Sequence, residues 1–271
     1  MTPAAMTGVD DDQWCAADAY ERYMGRWSRR IAPLFLDWLA VPGDTEWLDV
    51  GCGTGALSST ILASRRPARL VGVDPAAPLL ELARTQIEDH RFTVVVGGAE
   101  ALPSRAGEFG AVVAGLVLNF VPDKPQAVAE MVRATALGGR VGLYVWDYAG
   151  HMQIMRRFFD AATRLDPLAS RFDDGLNAPV CRPGPLARLF SGAGLSGVEV
   201  TAIDIPAAFT DFDDYWSPFL GGTGSAPKYC STLSTADLER LQVAVRASLP
   251  AGPDGEILLA VRAWAVKGTV A

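Results

Sequence analysis

The stretch Trp47-Leu48-Asp49-Val50-Gly51-Cys52-Gly53-Thr54-Gly55 reads as a short buried strand running into a glycine turn. Trp47, Leu48 and Val50 supply the apolar run, Asp49 interrupts it, and Ala56-Leu57-Ser58-Ser59-Thr60-Ile61-Leu62 opens a helical pattern behind the turn. Glycines at Gly51, Gly53 and Gly55 let the backbone take positive φ and let a ligand approach bare amides, and the helix start adds unpaired N–H groups at the same place. Asp49 is costly to bury inside a strand end unless something pairs with it, and a ligand amine suits that role. The same spelling satisfies the dinucleotide pattern as Gly51-x-Gly53-x-x-Ala56.

Outward from this point the chain alternates strands and helices for about a hundred residues, the pattern of a doubly wound α/β fold. Leu70 to Val73 is the second strand, ended by Asp74-Pro75. Asp74 lies 25 residues after Asp49; an acidic residue at that strand tip can accept both hydroxyls of a ribose, or cap the helix through Leu79, Leu80 and Ala83. Phe92 to Val96 is a third strand running into Gly97-Gly98-Ala99-Glu100-Ala101-Leu102-Pro103, and Phe109 to Val117 a fourth, followed by Leu118-Asn119-Phe120-Val121-Pro122. Asp123 caps the next helix with Gln126 in the box position, and Gly138-Gly139 is expected to stop it. A fifth strand, Arg140 to Trp146, ends in Asp147-Tyr148.

Before the first strand, Tyr20, Met24, Trp27, Ile31, Leu34 and Trp38 fall at helical steps, describing one helix or two broken near Gly25 and Pro33. Its other face carries Arg22, Tyr23, Arg26, Arg29 and Arg30, a mixture able to close over a ligand bearing both a cation and a carboxylate. After Gly150 the alternation loosens. Met152, Met155, Phe158, Phe159 and Ala162 share a helical face, and a loop rich in Pro, Asp and Gly runs from Asp166 to Pro185. A helix near Pro185 to Phe190, a strand near Val198 to Ile203, an aromatic segment from Asp211 to Gly222, a capping box at Ser234 to Asp237 and a terminal strand from Ile257 to Val266 complete the chain.

At 271 residues, with 49% hydrophobic and 20% charged residues, the composition is that of one large soluble domain. The net charge of −7, from 24 basic against 31 acidic residues, leaves no basic stripe for nucleic acid. Cys15, Cys52, Cys181 and Cys230 show neither metal-type pairing nor a disulfide framework, which predicts reduced thiols, no metal and a cytoplasmic protein. No apolar run approaches the ~18 residues of a membrane span. Residues 1–17 are expected to be a flexible leader to a single domain over 18–271.

Together, Leu48 to Gly55, Gly72-Val73-Asp74-Pro75, Gly98 to Pro103 and Leu116 to Val121 resemble the class I S-adenosylmethionine-dependent methyltransferases, in particular the small-molecule group that includes the ubiquinone and menaquinone pathway enzymes. The resemblance covers about Tyr20 to Tyr148. It implies a Rossmann-like seven-stranded, mostly parallel sheet of order 3-2-1-4-5-7-6 with helices on both faces. A cofactor-capping helix would lie at 18–40 and an acceptor-side helical lid at about 150–195 plus 207–230. S-adenosylmethionine would be cofactor and S-adenosylhomocysteine product. Gly51, Cys52, Gly53 and Gly55 would border the methionine part, Asp49 its amine, and Asp74 the ribose. Pro75 and Leu79 would border the adenine, Gly98, Ala99 and Glu100 its edge, and Leu116, Leu118 and Asn119 the methionine side. Tyr23, Trp27 and Arg29 would cap the cofactor. The family often has Asp where Gly98 stands, His near Asn119 and Asp near Gly110. The loss at Gly98 removes a hydrogen bond worth about 1 kcal/mol, and Asn119 cannot titrate near neutrality as His does.

Methyl transfer from a sulfonium needs alignment, exclusion of water and, for a hydroxyl, a proton acceptor. His151 and Asp147, just after the fifth strand, are the candidate catalytic groups; a surface histidine and a capping aspartate are the plain alternative. Trp146, Tyr148, Met155, Phe158, Trp216 and Phe219, with Phe172 and Tyr229, suit a flat or oily small-molecule acceptor, though each would also serve as core. The competing functions are an NAD(P)-dependent oxidoreductase and a catalytically inactive cofactor-binding protein. A monomer or homodimer without nucleic-acid partners is expected.

Overall fold

The computed structural model describes residues 24–221 and 224–271. Seven strands form one sheet: β1 Glu46–Val50, β2 Arg69–Asp74, β3 Phe92–Val96, β4 Phe109–Gly115, β5 Thr135–Trp146, β6 Ser196–Phe209 and β7 Ile257–Thr269, in the order β3-β2-β1-β4-β5-β7-β6. The first five are mutually parallel; β7 runs antiparallel to both β5 and β6. The order expected from the resemblance is therefore the order observed. Because β1 pairs with both β2 and β4, the chain reverses its winding between β1 and β4, and the loops beyond the strand ends part there to leave a crevice.

The β1–β4 core is apolar on both faces, as parallel strands covered by helices must be: Trp47, Leu48, Val50, Ala111, Val112 and Val113 are all buried. Helices α2 (Ala56–Arg65), α3 (Ala77–Gln86) and α4 (Lys124–Ala134) make the crossovers. Asp123 Oδ1 accepts from Gln126 N at 3.0 Å, the cap read from sequence. The stop differs. Helix α4 ends at Ala134, where Thr135 Oγ1 donates to the Met131 carbonyl, and Gly138 and Gly139 lie in β5. They exchange backbone hydrogen bonds with Val270, and a Cβ at Gly139 would meet the Gly110 carbonyl at 2.8 Å. Close approach of backbones, not helix termination, is what these glycines serve.

Helix α1, Arg26–Leu39, runs unbroken through Pro33. It lies on the sheet rather than over the strand ends: Phe35 packs on Tyr144 with ring centroids 4.9 Å apart, Trp27 on Phe209 at 5.4 Å, and Arg30 Nη1 donates to the Pro206 carbonyl at 2.6 Å. The expected cofactor-capping helix at 18–40 is thus a sheet-covering helix over its described part. Among the described residues of this segment, Met24, just before α1, lines the cavity beyond the strand ends.

Strand β6 is longer than its sequence pattern suggested. Trp146 at the end of β5 pairs with Ala263, but β6 and β7 continue for six further pairs to Phe209↔Ile257, projecting about 20 Å past the parallel strands. This ribbon is a wall for the segment after β5. Helix α5 (Gln153–Leu165) packs on β7, and Gln153 Oε1 accepts from Ala260 N at 2.8 Å. A one-turn helix α6 (Asp174–Asn177) follows, then α7 (Pro183–Gly192). Short helices α8 (Phe212–Trp216) and α9 (Ser225–Ser231) come after β6, and α10 (Thr235–Ser248) packs on α5. The expected lid of 150–195 plus 207–230 is narrower than that span. Helix α7 covers β6 and β7 through Leu186 and Phe190, and Ala207–Phe209 belongs to β6.

Candidate functional site

Asp49, the glycine turn at 51–55, Asp74 and Leu116 all stand at the C-terminal edge of the parallel strands, because parallel register puts those ends side by side. Gly51, Gly53 and Gly55 all take the left-handed conformation, with φ of 71°, 53° and 88°. The amides of Gly51 and Cys52 both donate to the Val73 carbonyl at 2.7 and 3.1 Å, tying the turn to the end of β2. A Cβ on Gly51 would meet Val117 at 2.4 Å and one on Gly55 would meet Ile87 at 2.5 Å, whereas one on Gly53 would stand in open space. Gly51 and Gly55 fit the turn into the fold, and Gly53 is the position where bare backbone faces the crevice.

Asp49 is 1% exposed, and Ser58 Oγ at the start of α2 donates to its Oδ2 at 2.7 Å. Burial pushes its carboxyl up to about 7; the Ser58 hydrogen bond works against that rise and the nearby Asp74 charge adds to it. A carboxylate so poorly supported by the protein can be stabilised by a cationic ligand. Asp74 differs: Gly53 N donates to Oδ2 at 3.0 Å and Ala76 N to Oδ1 at 2.8 Å. Burial raises its carboxyl too, opposed by these two amides. The arrangement joins turn, strand end and helix α3, and leaves each oxygen a further lone pair for a ligand hydroxyl. These features fit an aminoacyl nucleoside such as S-adenosylmethionine: a needy carboxylate for an ammonium, a half-engaged one for a diol, and a cradle at Gly53 that a side chain would fill.

The remaining candidates divide by what already occupies them. Cys52 turns its sulfur inward, where a Cβ on Gly72 would lie 2.7 Å from it, and burial drives the thiol pKa strongly upward; neither its side chain nor its committed amide is offered to a ligand. Pro75 and Gly98 are exposed, and Leu79, Ala99 and Asn119 are half-buried. Glu100 is anchored elsewhere, its Oε1 accepting from Asp123 N at 2.6 Å at the head of α4. Trp27 is committed to Phe209, Arg29 is exposed, and Tyr23 lies outside the described residues. Leu118 is buried. Leu116 stands at the end of β4 with φ of 63°, a conformation that costs a non-glycine residue about 1 kcal/mol, and its amide donates to the Tyr144 carbonyl at 2.8 Å. Such strain held in place by neighbours is a mark of functional positions.

Leu116 also lines a cavity of about 330 Å³ beyond the strand ends, together with Met24, Phe120, Trp146, Tyr148 and Met155. The facing wall is polar and comes from the insertion: Arg171 and Phe172, Asp174 and Asn177 of α6, and Gly224, Ser225 and Lys228 around α9. Of the acceptor residues expected from sequence, Trp146, Tyr148, Met155 and Phe172 line this cavity. Phe158, Trp216 and Phe219 do not; they stack on one another, Phe158 on Phe219 at 4.7 Å and on Trp216 at 6.2 Å, as the aromatic core of the insertion. Tyr229 packs behind Phe172 at 5.4 Å. Asp147 and His151 do not line it either. Asp147 closes its own turn, Oδ2 accepting from His151 N at 2.8 Å, and the His151 ring is 55% exposed, which is the geometry of a capping aspartate and a surface histidine. Asp174, absent from the sequence reading, has its Oδ2 engaged by Ser225 Oγ and is pushed up to about 6 by burial. No helix among the described residues is long and apolar enough to cross a membrane, and none of their His, Cys, Asp or Glu side chains cluster as a metal site would.

A family described as a methyltransferase domain matches residues 48–143, the stretch that carries the crevice. The 2-phytyl-1,4-naphtoquinone methyltransferase of Thermosynechococcus vestitus is 40% identical over 112 residues, which are 40% of this chain and 49% of that protein. The chain therefore spans only about half the length of that relative. The trans-aconitate 2-methyltransferase of Deinococcus radiodurans is 30% identical over 221 residues, covering 77% of this chain and 80% of the relative. Among solved structures, the YcgJ protein of Bacillus subtilis superimposes with a TM-score of 0.59 at 18% identity, over 89% of this chain and 97% of that one, a likeness of fold. Neither the sheet order nor these relatives supports the nicotinamide reading that Gly51-x-Gly53-x-x-Ala56 allowed. With the strand order, the crevice chemistry and a relative matched over most of its length in agreement, the chain belongs to the class I S-adenosylmethionine-dependent methyltransferases, whose cofactor is S-adenosylmethionine.

Proposed function

We propose that this protein transfers a methyl group from S-adenosylmethionine to a small organic acceptor bound in the cavity between the strand ends and the insertion. The observation that carries this reading is the adjacency of two unlike spaces: the polar crevice over Gly53, Asp49 and Asp74, and the apolar cavity that begins at Leu116. In this reading Asp49 takes the ammonium of the methionine part, Asp74 the ribose hydroxyls, and Pro75, Leu79 and Ala99 border the adenine. When bound, the cofactor would supply an electrophilic methyl carbon on a sulfonium, the C–S electrons returning to sulfur as an acceptor lone pair takes the methyl group. The chain's own part is to align the acceptor behind that carbon and keep water out, tasks suited to Leu116, Trp146, Tyr148 and Met155.

The relatives' names suggest two acceptor chemistries, a quinone-type ring and trans-aconitate. Acceptor identity is tested by incubating the protein with methyl-labelled S-adenosylmethionine and a panel of quinols, carboxylic acids and amines, following the label and the release of S-adenosylhomocysteine. Label transfer to at least one class, lost in Trp146→Ala, is expected. Cofactor binding with no transfer to any class would favour a binding protein without turnover.

A further inference from the structure

The cavity pairs an apolar floor with a charged wall, and the charges do not cancel. Among the described residues its lining contains two cations, Arg171 and Lys228, and one carboxylate, Asp174. Among the described residues neither cation has an ion-pair or side-chain hydrogen-bond partner, although most other arginines of the chain do, Arg156, Arg133 and Arg262 among them. Asp174 is engaged by the Ser225 hydroxyl. Arg171 and Lys228 come from different short elements brought to the same wall, and both are exposed to solvent at their ends. Two unpaired cations against one carboxylate leave a surplus of one positive charge, which matches a monoanion. A phosphate monoester would bring a second negative charge beside Asp174.

Building on the proposed function, we infer that the acceptor is an amphipathic carboxylate. Arg171 and Lys228 hold its carboxylate at the outer wall, while its apolar body lies against Trp146, Tyr148 and Met155. Asn177 and Ser225 have their donors committed within the wall, Asn177 Nδ2 to the Ser170 and Arg171 carbonyls and Ser225 Oγ to Asp174, so the two cations carry the contact. The arrangement selects by charge at the wall and by shape at the floor. A neutral analogue would forgo the charge-assisted contacts to both cations.

The test uses matched probes: 4-hydroxybenzoate against 4-hydroxybenzamide, and 4-hydroxycinnamate against its amide. Each is titrated calorimetrically into protein saturated with S-adenosylhomocysteine, in wild type, Arg171→Gln, Lys228→Gln and the double variant. Each acid should bind at least about tenfold tighter than its amide, the step expected for one charge-assisted hydrogen bond. That preference should shrink in each single variant and vanish in the double. Both side chains are exposed, so glutamine leaves the fold intact, and unchanged S-adenosylhomocysteine affinity in the variants verifies this. Equal binding of acid and amide, binding of no probe by protein that does hold S-adenosylhomocysteine, or a preference that survives the double substitution would each overturn the inference. Failure of the wild type to bind S-adenosylhomocysteine would instead overturn the proposed function beneath it.

Discussion

Asp49 and Asp74 stand on neighbouring strands, both buried, yet they are satisfied differently, and that difference sets what each can do. Asp74 is held by two amides, whereas Asp49 relies on Ser58 and is pushed up to about 7. Its folded value lies above the ordinary carboxylate range, so the folded protein holds a proton that the unfolded chain gives up. The stability this group contributes is fully present below about pH 4 and is lost as pH rises through about 7. Asp49→Asn should therefore be neutral near pH 3.5 and stabilising by about 4 kcal/mol at pH 8, while affinity for S-adenosylhomocysteine drops. Thermal unfolding at the two pH values with a parallel titration checks both; a variant less stable than wild type at pH 8 would mean that the Ser58 hydrogen bond outweighs the cost of burying the charge. Both aspartates were legible in the sequence because a carboxylate breaking an apolar strand is conspicuous. The inward turn of the Cys52 side chain was not, since positive φ at Gly51 and Gly53 suspends the simple alternation that tells which way a side chain points.

At the scale of elements, the insertion after β5 is held by a buried ion pair. Arg156 on α5 binds Asp173 through both oxygens, at 2.8 and 2.9 Å, and its Nη1 also donates to the Tyr148 carbonyl at 3.2 Å. Asp173 in turn accepts from Gly175 N at 2.9 Å, fixing α6 and with it Asp174 and Asn177. Removing one partner leaves a nearly buried charge alone. Arg156→Ala should cost about 3 kcal/mol and raise the acceptor KM while cofactor affinity stays within about twofold. Urea unfolding and initial rates measure these; an unchanged acceptor KM would detach the insertion from the acceptor site. The sequence showed that an insertion exists but not how its residues divide. Phe158, Trp216 and Phe219 are as apolar as Trp146, Tyr148 and Met155, and only tertiary packing separates the stacked core from the cavity floor. Arg171, Asp174 and Lys228 went unread because they sit on helical elements of four to seven residues, too short for a periodicity to place them. The front helix misled for a related reason: an apolar stripe says that a face is buried, not against what, and Trp27 found Phe209 on a strand far longer than its composition suggested.

Across the whole molecule, the first five strands and their crossovers place the crevice, and the projecting β6–β7 ribbon with its helices builds the second wall. The strand order followed from the resemblance that began at Leu48 to Gly55, while the extent of the ribbon depends on pairing between segments about fifty residues apart. The most direct measurement is calorimetric titration of the protein and of Asp74→Ala with S-adenosylhomocysteine, with NAD as control. Saturable binding of S-adenosylhomocysteine, weakened about tenfold or more by the substitution, with no binding of NAD, is the predicted result. Preferential binding of NAD, or S-adenosylhomocysteine affinity indifferent to Asp74, would contradict the assignment of the crevice.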